Sequence, residues 1–127
     1  MFPKGLIVSS QALEGNPLRN SEYLAVMAEA AVKGGAKAIR ANGITDITEI
    51  RKRVSVPIIG IDKRKDETGH TIITPDIDGV AGIIKAGADI IALEIIKPGL
   101  NHAGRGILGH IVNPAQTHFM FHLRRQL

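Results

Sequence analysis

The stretch Val56-Pro57-Ile58-Ile59-Gly60-Ile61-Asp62-Lys63-Arg64 decides how the rest of the chain is interpreted. Its continuous apolar run is typical of a strand that is buried on both faces, as in a parallel sheet. The run ends in a burst of charge, and parallel α/β folds place their chemistry at the carboxyl ends of their strands. Lys63 is therefore the first candidate for a functional residue.

Similar apolar runs lie on both sides of this stretch. Three more buried strands are predicted, at residues 5–11, 36–41 and 88–94. An internal repeat supports them, because Val32–Ala41 aligns with Ile84–Leu93 and both segments run from a glycine-ended helix straight into a strand. Strands that alternate with helices in this way indicate an α/β fold with parallel βα repeats.

Helix signals separate the predicted strands. The predicted helix starts are Ser21, Thr45 or Asp46, and Thr74-Pro75-Asp76. The pair Gly34-Gly35 is expected to end the first helix, since glycine is common at the carboxyl end of helices. The polar residues 65–70 predict a loop before the third helix. Four strands and three helices thus fit into residues 1–94, whereas a complete (β/α)8 barrel needs about 250 residues. An open doubly wound sheet and roughly half of a barrel both agree with this pattern.

Composition narrows the class of protein. The 127 residues suit one domain, and the lack of cysteine excludes disulfides and thiolate metal sites. No apolar run approaches the roughly 18 residues of a membrane span, and the amino terminus does not resemble a secretory leader. We therefore expect a cytoplasmic protein that does not enter a membrane.

The net charge of +4 comes from one end of the chain. Residues 1–94 are balanced in charge, whereas residues 95–127 contain four basic residues and no acidic one. This tail carries no motif that reads nucleic acid, so nucleic-acid binding is not expected. His118 and His122 have the spacing of a helical metal site, but the tail lacks the carboxylate that such a site needs, and no metal site is predicted. A helix from His118 to Leu127 and a short apolar element around 107–112 are the elements expected here.

One polar residue lies at or just after the carboxyl end of each predicted strand. These residues are Gln11, Arg40, Lys63 and Glu94. Parallel neighbouring strands would gather them on one rim, where the cations suit a phosphorylated or carboxylated ligand. A lysine in such a place can also exchange protons if its pKa is lowered. Ordinary solvated charges at strand ends are the alternative explanation.

Five segments together resemble the N-acetylmannosamine-6-phosphate 2-epimerases, in order and at matching spacing. They are residues 5–11, 34–42, 56–64, 73–75 and 86–93. The resemblance implies the N-terminal half of a (β/α)8 TIM barrel of the ribulose-phosphate-binding type. It also implies interconversion of N-acetylmannosamine 6-phosphate and N-acetylglucosamine 6-phosphate, in amino-sugar and sialate breakdown, without a metal ion or organic cofactor. Lys63 would move the proton at C2, with Arg40 and Gln11 beside it and Glu94 matching an acidic residue of the fourth strand.

The chain departs from this family in a few places. Ser10 stands where the family usually has cysteine, and Asp62 would tend to keep Lys63 protonated if it points inward. Residues 95–127 resemble nothing in the family, which predicts a half barrel over 1–94 followed by a divergent tail. A frameshift or truncation is the favoured explanation of this tail, and a short paralogue with a new cap is the other.

These departures leave alternatives to an active epimerase. A half barrel without the family's later strands and later acidic residue is expected to show little or no turnover. It would then be an inactive fragment, or a module that binds a sugar phosphate without catalysis. A homodimer that pairs two half barrels is a further expectation, because a half barrel leaves sheet edges uncovered.

Overall fold

The computed structural model of the protein describes residues 4–95, 107–113 and 116–124, with side chains as far as Leu93. Strands and helices alternate through its first part, and strands alone follow. The strands are β1 (Ile7–Ser9), β2 (Ala38–Asn42), β3 (Ile58–Ile61), β4 (Lys63–Lys65), β5 (Thr71–Ile73), β6 (Ile90–Ile95), β7 (Ile107–Asn113) and β8 (Gln116–Arg124). The helices are α1 (Ser21–Lys33), α2 (Ile44–Arg51) and α3 (Ile77–Ala86).

The main sheet has the strand order β1-β2-β3-β6-β7-β8. The first four of these strands are parallel, with Ser9 opposite Arg40, Asn42 opposite Ile61 and Gly60 opposite Ile91. One helix crosses between each successive pair, so the four parallel strands and three helices agree with the prediction, and the hairpin of β4 and β5 is an addition to it. Sequential parallel neighbours are the order found in a barrel wall, whereas a doubly wound sheet reverses direction from its first strand.

The described part of the tail is built from strands. β7 pairs antiparallel with β6, and β8 pairs antiparallel with β7. The apolar element expected around 107–112 is therefore strand β7, but the helix predicted from His118 is wrong. The spacing of four that suggested a helix fits a strand equally well, because four is a multiple of the strand period of two.

The starts of the first two helices differ from those predicted by one to three residues. Asn20, not Ser21, caps α1, and its Oδ1 accepts hydrogen bonds from the backbone N–H groups of Glu22 and Tyr23 at 2.8 and 3.2 Å. Gly43, not Thr45 or Asp46, precedes α2. The reason is tertiary, since Ser21 and Asp46 bond to each other instead of to a helix end.

The third helix begins and ends as its sequence predicts. Asp76 caps α3, because its Oδ1 accepts a hydrogen bond from the backbone N–H of Gly79 at 2.8 Å. Gly87 ends α3 in the left-handed region with φ 112°, a conformation that favours glycine. The chain then runs directly into β6, as the internal repeat predicts.

The predicted loop at 65–70 is the tip of a small hairpin. β4 and β5 pair antiparallel as a separate two-stranded sheet, with Lys63 opposite Ile73. In the turn, Asp66 Oδ1 accepts hydrogen bonds from the backbone N–H groups of Thr68 and His70, both at 2.9 Å. Lys63 is thus the first residue of a hairpin that follows β3 after a single intervening residue.

β2, β3 and the first residues of β6 are buried on both faces of the sheet, whereas β1 at its edge is partly exposed. On the face covered by helices, Ile39, Ile58 and Ile91 join the core with residues of α1, α2 and α3. On the other face a smaller cluster contains Ala38, Ile59 and Ile90. This two-sided burial explains why the inner strands appear in the sequence as continuous apolar runs.

Gly60 lies where β3 packs closely against residues of α2 and α3 and against Ala88. A Cβ atom at this position would stand 2.7 Å from Ala88 Cβ and 3.2 Å from Ile47 Cδ1. We expect Gly60→Ala to lower the free energy of unfolding by about 1–3 kcal/mol, because overpacked cores must shift. Urea denaturation measures the change.

Gly34→Ala is the matched control for this substitution. Gly34 has φ −78°, and a Cβ there would meet only backbone oxygens at 3.4 and 3.5 Å. Its expected effect is within about 0.5 kcal/mol. Equal stability of the Gly60 variant and the wild type would contradict the helix-on-sheet packing described above.

A charged network holds the amino ends of β3 and β6 together. The Arg51 guanidinium donates to the carbonyl oxygens of Val54 and Val56 at 2.6 and 2.9 Å. It also donates to Asp89 Oδ2 at 2.8 Å, and the same oxygen accepts the backbone N–H of Ile58 at 2.9 Å. The network lies at the end of the strands opposite to Lys63.

Among the described residues, no helix combines the length and apolar character needed to cross a membrane.

Candidate active site

A cleft of about 340 Å³ lies at the carboxyl ends of β1, β2 and β3. The alternation of side chains along β2 explains its lining, because Ile39 and Ala41 face the helices while Arg40 and Asn42 lie on the other face. The lining residues are Ser9, Gln11, Ala12, Leu13, Arg40, Asn42, Asp46 and Lys63.

Three of the four residues predicted to form the site line this cleft together. They are Gln11, Arg40 and Lys63. Glu94 belongs to β6, the strand next to β3, but its side chain lies outside the described residues. Its place in the site therefore stays a prediction.

Within the described residues, no acidic side chain pairs with either of the two cations of the cleft. No hydrogen bond or ion pair joins the side chain of Lys63 or Arg40 to another residue in the described part of the chain. Burial, and next the positive charge of Arg40, lower the pKa of Lys63. Burial also lowers the pKa of Arg40. The cleft is thus suited to an anionic ligand and to a lysine that gives up its proton more readily than usual.

The side-chain carbonyl oxygen of Gln11 is a hydrogen-bond acceptor without a donor among the described residues. Its Nε2 donates to Ser9 Oγ at 2.6 Å, which fixes the orientation of the amide. Its Oε1 is buried and has no hydrogen-bond partner within the described residues. A buried carbonyl oxygen without a partner is costly, so a hydroxyl or N–H group of a ligand would stabilise it.

Two side chains hold the backbone around Lys63. Asn42 Oδ1 accepts the backbone N–H of Lys63 at 2.8 Å, and Thr74 Oγ1 accepts the backbone N–H of Asp62 at 3.0 Å. Thr74 Oγ1 in turn donates to the carbonyl oxygen of Ala92 at 2.8 Å. The sequence assigned Thr74 to a helix start and gave Asn42 no role in the site. Asn42 has a weak signal, because it follows Arg40 by the strand period of two at a strand end.

The Asp62 carboxylate pairs with Arg64 and not with Lys63. Its Oδ2 lies 2.7 Å from the Arg64 guanidinium, and Arg64 also pairs with Asp76. Asp62 is not among the residues that line the cleft. The Asp62 carboxylate, which departs from the family pattern, is therefore engaged by Arg64, which also pairs with Asp76 at the start of α3.

Asp46 is a cleft residue that sequence reasoning assigned to a helix cap. Its side chain is buried and accepts hydrogen bonds from the Arg19 guanidinium at 3.1 Å and from Ser21 Oγ. These bonds connect α2 to the first residue of α1 and to the segment before it, which carries Gln11. Hydrogen bonding to Asp46, more than its charge, raises the pKa of Arg19. Asp46 thus acts as an anchor for one wall of the cleft.

Metal-binding side chains do not gather in the part of the chain whose side chains are described. No group of three His, Cys, Asp or Glu residues there comes close enough to hold a metal ion. His118 and His122 lie in β8, and their side chains are outside the described residues.

Parallel βα repeats with a polar cleft at the carboxyl ends of the strands define a protein of the (β/α) barrel class. A family model described as "Putative N-acetylmannosamine-6-phosphate epimerase" matches residues 24–102. The chain belongs to this family.

Individual relatives agree with the family match. A protein of Caldanaerobacter subterraneus subsp. tengcongensis is 53% identical over 93 residues, which are 73% of this chain and 39% of the relative. A protein of Borreliella afzelii is 48% identical over 91 residues, which are 72% of this chain and 39% of the relative. Both carry the name "Putative N-acetylmannosamine-6-phosphate 2-epimerase". The chain spans about two fifths of the length of these relatives.

A solved structure confirms the fold class. The N-acetylmannosamine-6-phosphate 2-epimerase from Clostridium perfringens matches with a TM-score of 0.69 and 42% sequence identity. The match covers 78% of this chain and 45% of that one. The predicted N-terminal half of a TIM barrel is therefore the architecture of the parallel part of this chain.

Proposed function

We propose that this chain provides the proton-transfer site of an N-acetylmannosamine-6-phosphate 2-epimerase. The observation that carries the proposal is a pair of cations, Lys63 and Arg40, in one cleft of a protein from this family, with no ion-pair partner among the described residues. The substrates are N-acetylmannosamine 6-phosphate and N-acetylglucosamine 6-phosphate, which differ in configuration at C2. Glu94 is proposed to contact the substrate from the neighbouring strand.

The chemistry follows from the acidity of the substrate. The C2 proton is acidic only in the open-chain sugar, where C1 is an aldehyde. The neutral amine of Lys63 takes this proton, so the C2–H bond breaks, an N–H bond forms and an enolate remains. Arg40 supplies positive charge to the enolate oxygen or the phosphate, and Gln11 Oε1 accepts a hydrogen bond from a hydroxyl or acetamide N–H group.

The reaction can be followed by two measurements, exchange of the C2 proton with solvent and conversion to the epimer. A proton that returns to the same face of C2 restores the starting sugar, and one that arrives on the opposite face gives the epimer. Exchange of the C2 proton with solvent therefore requires Lys63 alone, whereas conversion requires a second donor across the sugar.

The test is proton NMR of N-acetylmannosamine 6-phosphate with the full chain in deuterated water. We expect deuterium to enter C2 faster than in a buffer control. Appearance of N-acetylglucosamine 6-phosphate would show that both proton donors are present. No exchange above the buffer control, measured with folded protein, would overturn the proposal.

A second candidate is a module that binds sugar phosphate without catalysis. It is favoured by the recognition groups themselves, because Arg40, Lys63 and Gln11 Oε1 all lack partners in the described structure. Binding alone would raise the melting temperature when N-acetylmannosamine 6-phosphate is added, with no deuterium at C2. An inactive fragment would show neither effect.

The proposal extends to the setting of the protein. We expect it to act in the cytoplasm, and to form a homodimer. β1 pairs only with β2 in the described sheet, and Leu6 beside it is 65% exposed, which supports association through this edge. Sedimentation equilibrium of the full chain decides between monomer and dimer.

A further inference from the structure

The chain changes sheets at a single residue. β3 ends at Ile61 in the main sheet, and β4 begins at Lys63 in the two-stranded sheet, with Asp62 between them. Two consecutive backbone N–H groups at this change of sheets donate to side chains. That of Asp62 donates to Thr74 Oγ1 and that of Lys63 to Asn42 Oδ1. Buried backbone groups need such partners, so these two side chains determine the path of the chain.

Asn42 connects Lys63 to the strand that carries Arg40. Asn42 is the last residue of β2 and lies two residues after Arg40, on the same face of the sheet. The hydrogen bond of 2.8 Å from the backbone N–H of Lys63 to Asn42 Oδ1 joins residues 21 positions apart. Because Asn42 and Arg40 share one strand, this bond sets where Lys63 lies relative to Arg40.

Thr74 binds the backbone of Asp62 from the β6 side, where the chain passes from one sheet to the other. Its backbone N–H donates to the carbonyl oxygen of Asp62 at 2.7 Å, and its hydroxyl donates to Ala92 of β6. Thr74 is 2% exposed and has φ 48°, a region that β-branched residues rarely adopt. Such a conformation persists only where the surrounding contacts enforce it, and residues of this kind cluster at functional sites.

We propose that Asn42 is a positioning residue that fixes Lys63 beside Arg40 in the cleft, with Thr74 as its counterpart on the β6 side. This inference deepens the proposed function, since it concerns the lysine assigned as the base. Loss of the Asn42 anchor would let Lys63 move away from Arg40 and toward solvent. Its pKa would then return toward that of an ordinary lysine, and the amine would no longer meet C2 in a productive geometry.

The acidic side chains described near Lys63 are paired with other residues and do not set its pKa. Asp46, on α2, is engaged by Arg19 and Ser21. Asp62 is engaged by Arg64. Glu94, on β6, has a side chain outside the described residues. Among the described residues, Arg40 is the charge that acts on Lys63.

The experiment compares Asn42→Ala with Asn42→Asp and with Asn16→Ala in the full chain. Asn16 is the matched control, because its Oδ1 also accepts a backbone N–H at 2.8 Å, in an exposed loop away from the cleft. The first measurement is NMR titration of the labelled Lys63 ammonium group, which needs no turnover. We expect Asn42→Ala to raise the pKa of Lys63 toward the ordinary value and Asn16→Ala to leave it unchanged.

The second measurement is the rate of C2 exchange against pH. Asn42→Ala should lower the rate at every pH by about 10- to 100-fold with little change in the Michaelis constant, as expected for a misplaced base. Asn42→Asp keeps an acceptor for the Lys63 backbone but adds a carboxylate. It should therefore reach a wild-type plateau, displaced to higher pH.

The outcomes separate this inference from the proposed function. If the wild type shows no exchange, the Lys63 titration still decides, and equal pKa values in wild type and Asn42→Ala would overturn the inference. If circular dichroism shows that Asn42→Ala does not fold, the pH–rate profile of Asn42→Asp is the test. A plateau of Asn42→Asp that stays far below the wild type at high pH would then contradict a positioning role.

Discussion

Replacement of Lys63 by Met is expected to lower the rate of C2 exchange by about 10²- to 10⁴-fold, the usual contribution of a general base. Met keeps most of the apolar stem of the side chain and removes the amine that accepts the proton. The measurement is deuterium incorporation into N-acetylmannosamine 6-phosphate by proton NMR. Lys65→Met is the control, because Lys65 lies on the same hairpin but donates to Thr71 outside the cleft.

The same role of Lys63 predicts how the C2 exchange rate changes with pH. Lys63 must be neutral to act as the base, so the exchange rate should rise with pH and level off above the pKa of Lys63. Burial and the charge of Arg40 lower that pKa, so the plateau should begin at lower pH than for an ordinary lysine. A Lys63→Met variant that exchanges as fast as Lys65→Met would remove Lys63 from the mechanism.

Replacement of Arg40 by Gln is expected to weaken binding of N-acetylmannosamine 6-phosphate by about 10- to 100-fold. Hydrogen bonds to charged groups contribute about 1.5–3 kcal/mol, and 1.4 kcal/mol is tenfold in affinity. Because the positive charge of Arg40 lowers the pKa of Lys63, its removal should also raise that pKa. The rise of exchange rate with pH should then move to higher pH. Calorimetry and the pH–rate profile measure the two effects.

Arg53→Gln is the control for the charge change. Arg53 is a partly exposed residue that pairs with Glu29 and Glu22 on the surface, and such pairs contribute little. It should change neither affinity nor pH profile. An Arg40→Gln variant that binds as tightly as Arg53→Gln would show that the ligand does not use the charge of Arg40.

The parallel architecture could be predicted from the sequence because its signals are local and repeated. Each strand from β1 to β6 in the main sheet is a short apolar run, and glycines at Gly34 and Gly87 end the helices that precede two of them. Once the strands are parallel, their carboxyl ends share one edge. The meeting of Gln11, Arg40 and Lys63 then follows without any knowledge of side-chain contacts.

The rest depends on contacts between distant parts of the chain. Ser21 and Asp46 are ordinary helix-capping residues in sequence, but they bond to each other across 25 positions. The hairpin of β4 and β5 begins with a run of three basic residues, which carries no apolar alternation. Asn42 can bind the backbone of Lys63 only because the chain leaves the main sheet next to it. No sequence pattern predicts that the chain changes sheets at this point.

The Arg51 network has a consequence for how the protein tolerates mutation. Ile58, which this network holds, and Lys63 are five residues apart, or about 16 Å along an extended chain. Free-energy effects at sites farther apart than about 7–10 Å are usually additive. A substitution at Arg51 and one at Lys63 should therefore show no coupling energy in a double-mutant cycle. Substitutions that change stability at the amino ends of the strands should therefore leave the site at their carboxyl ends unaffected.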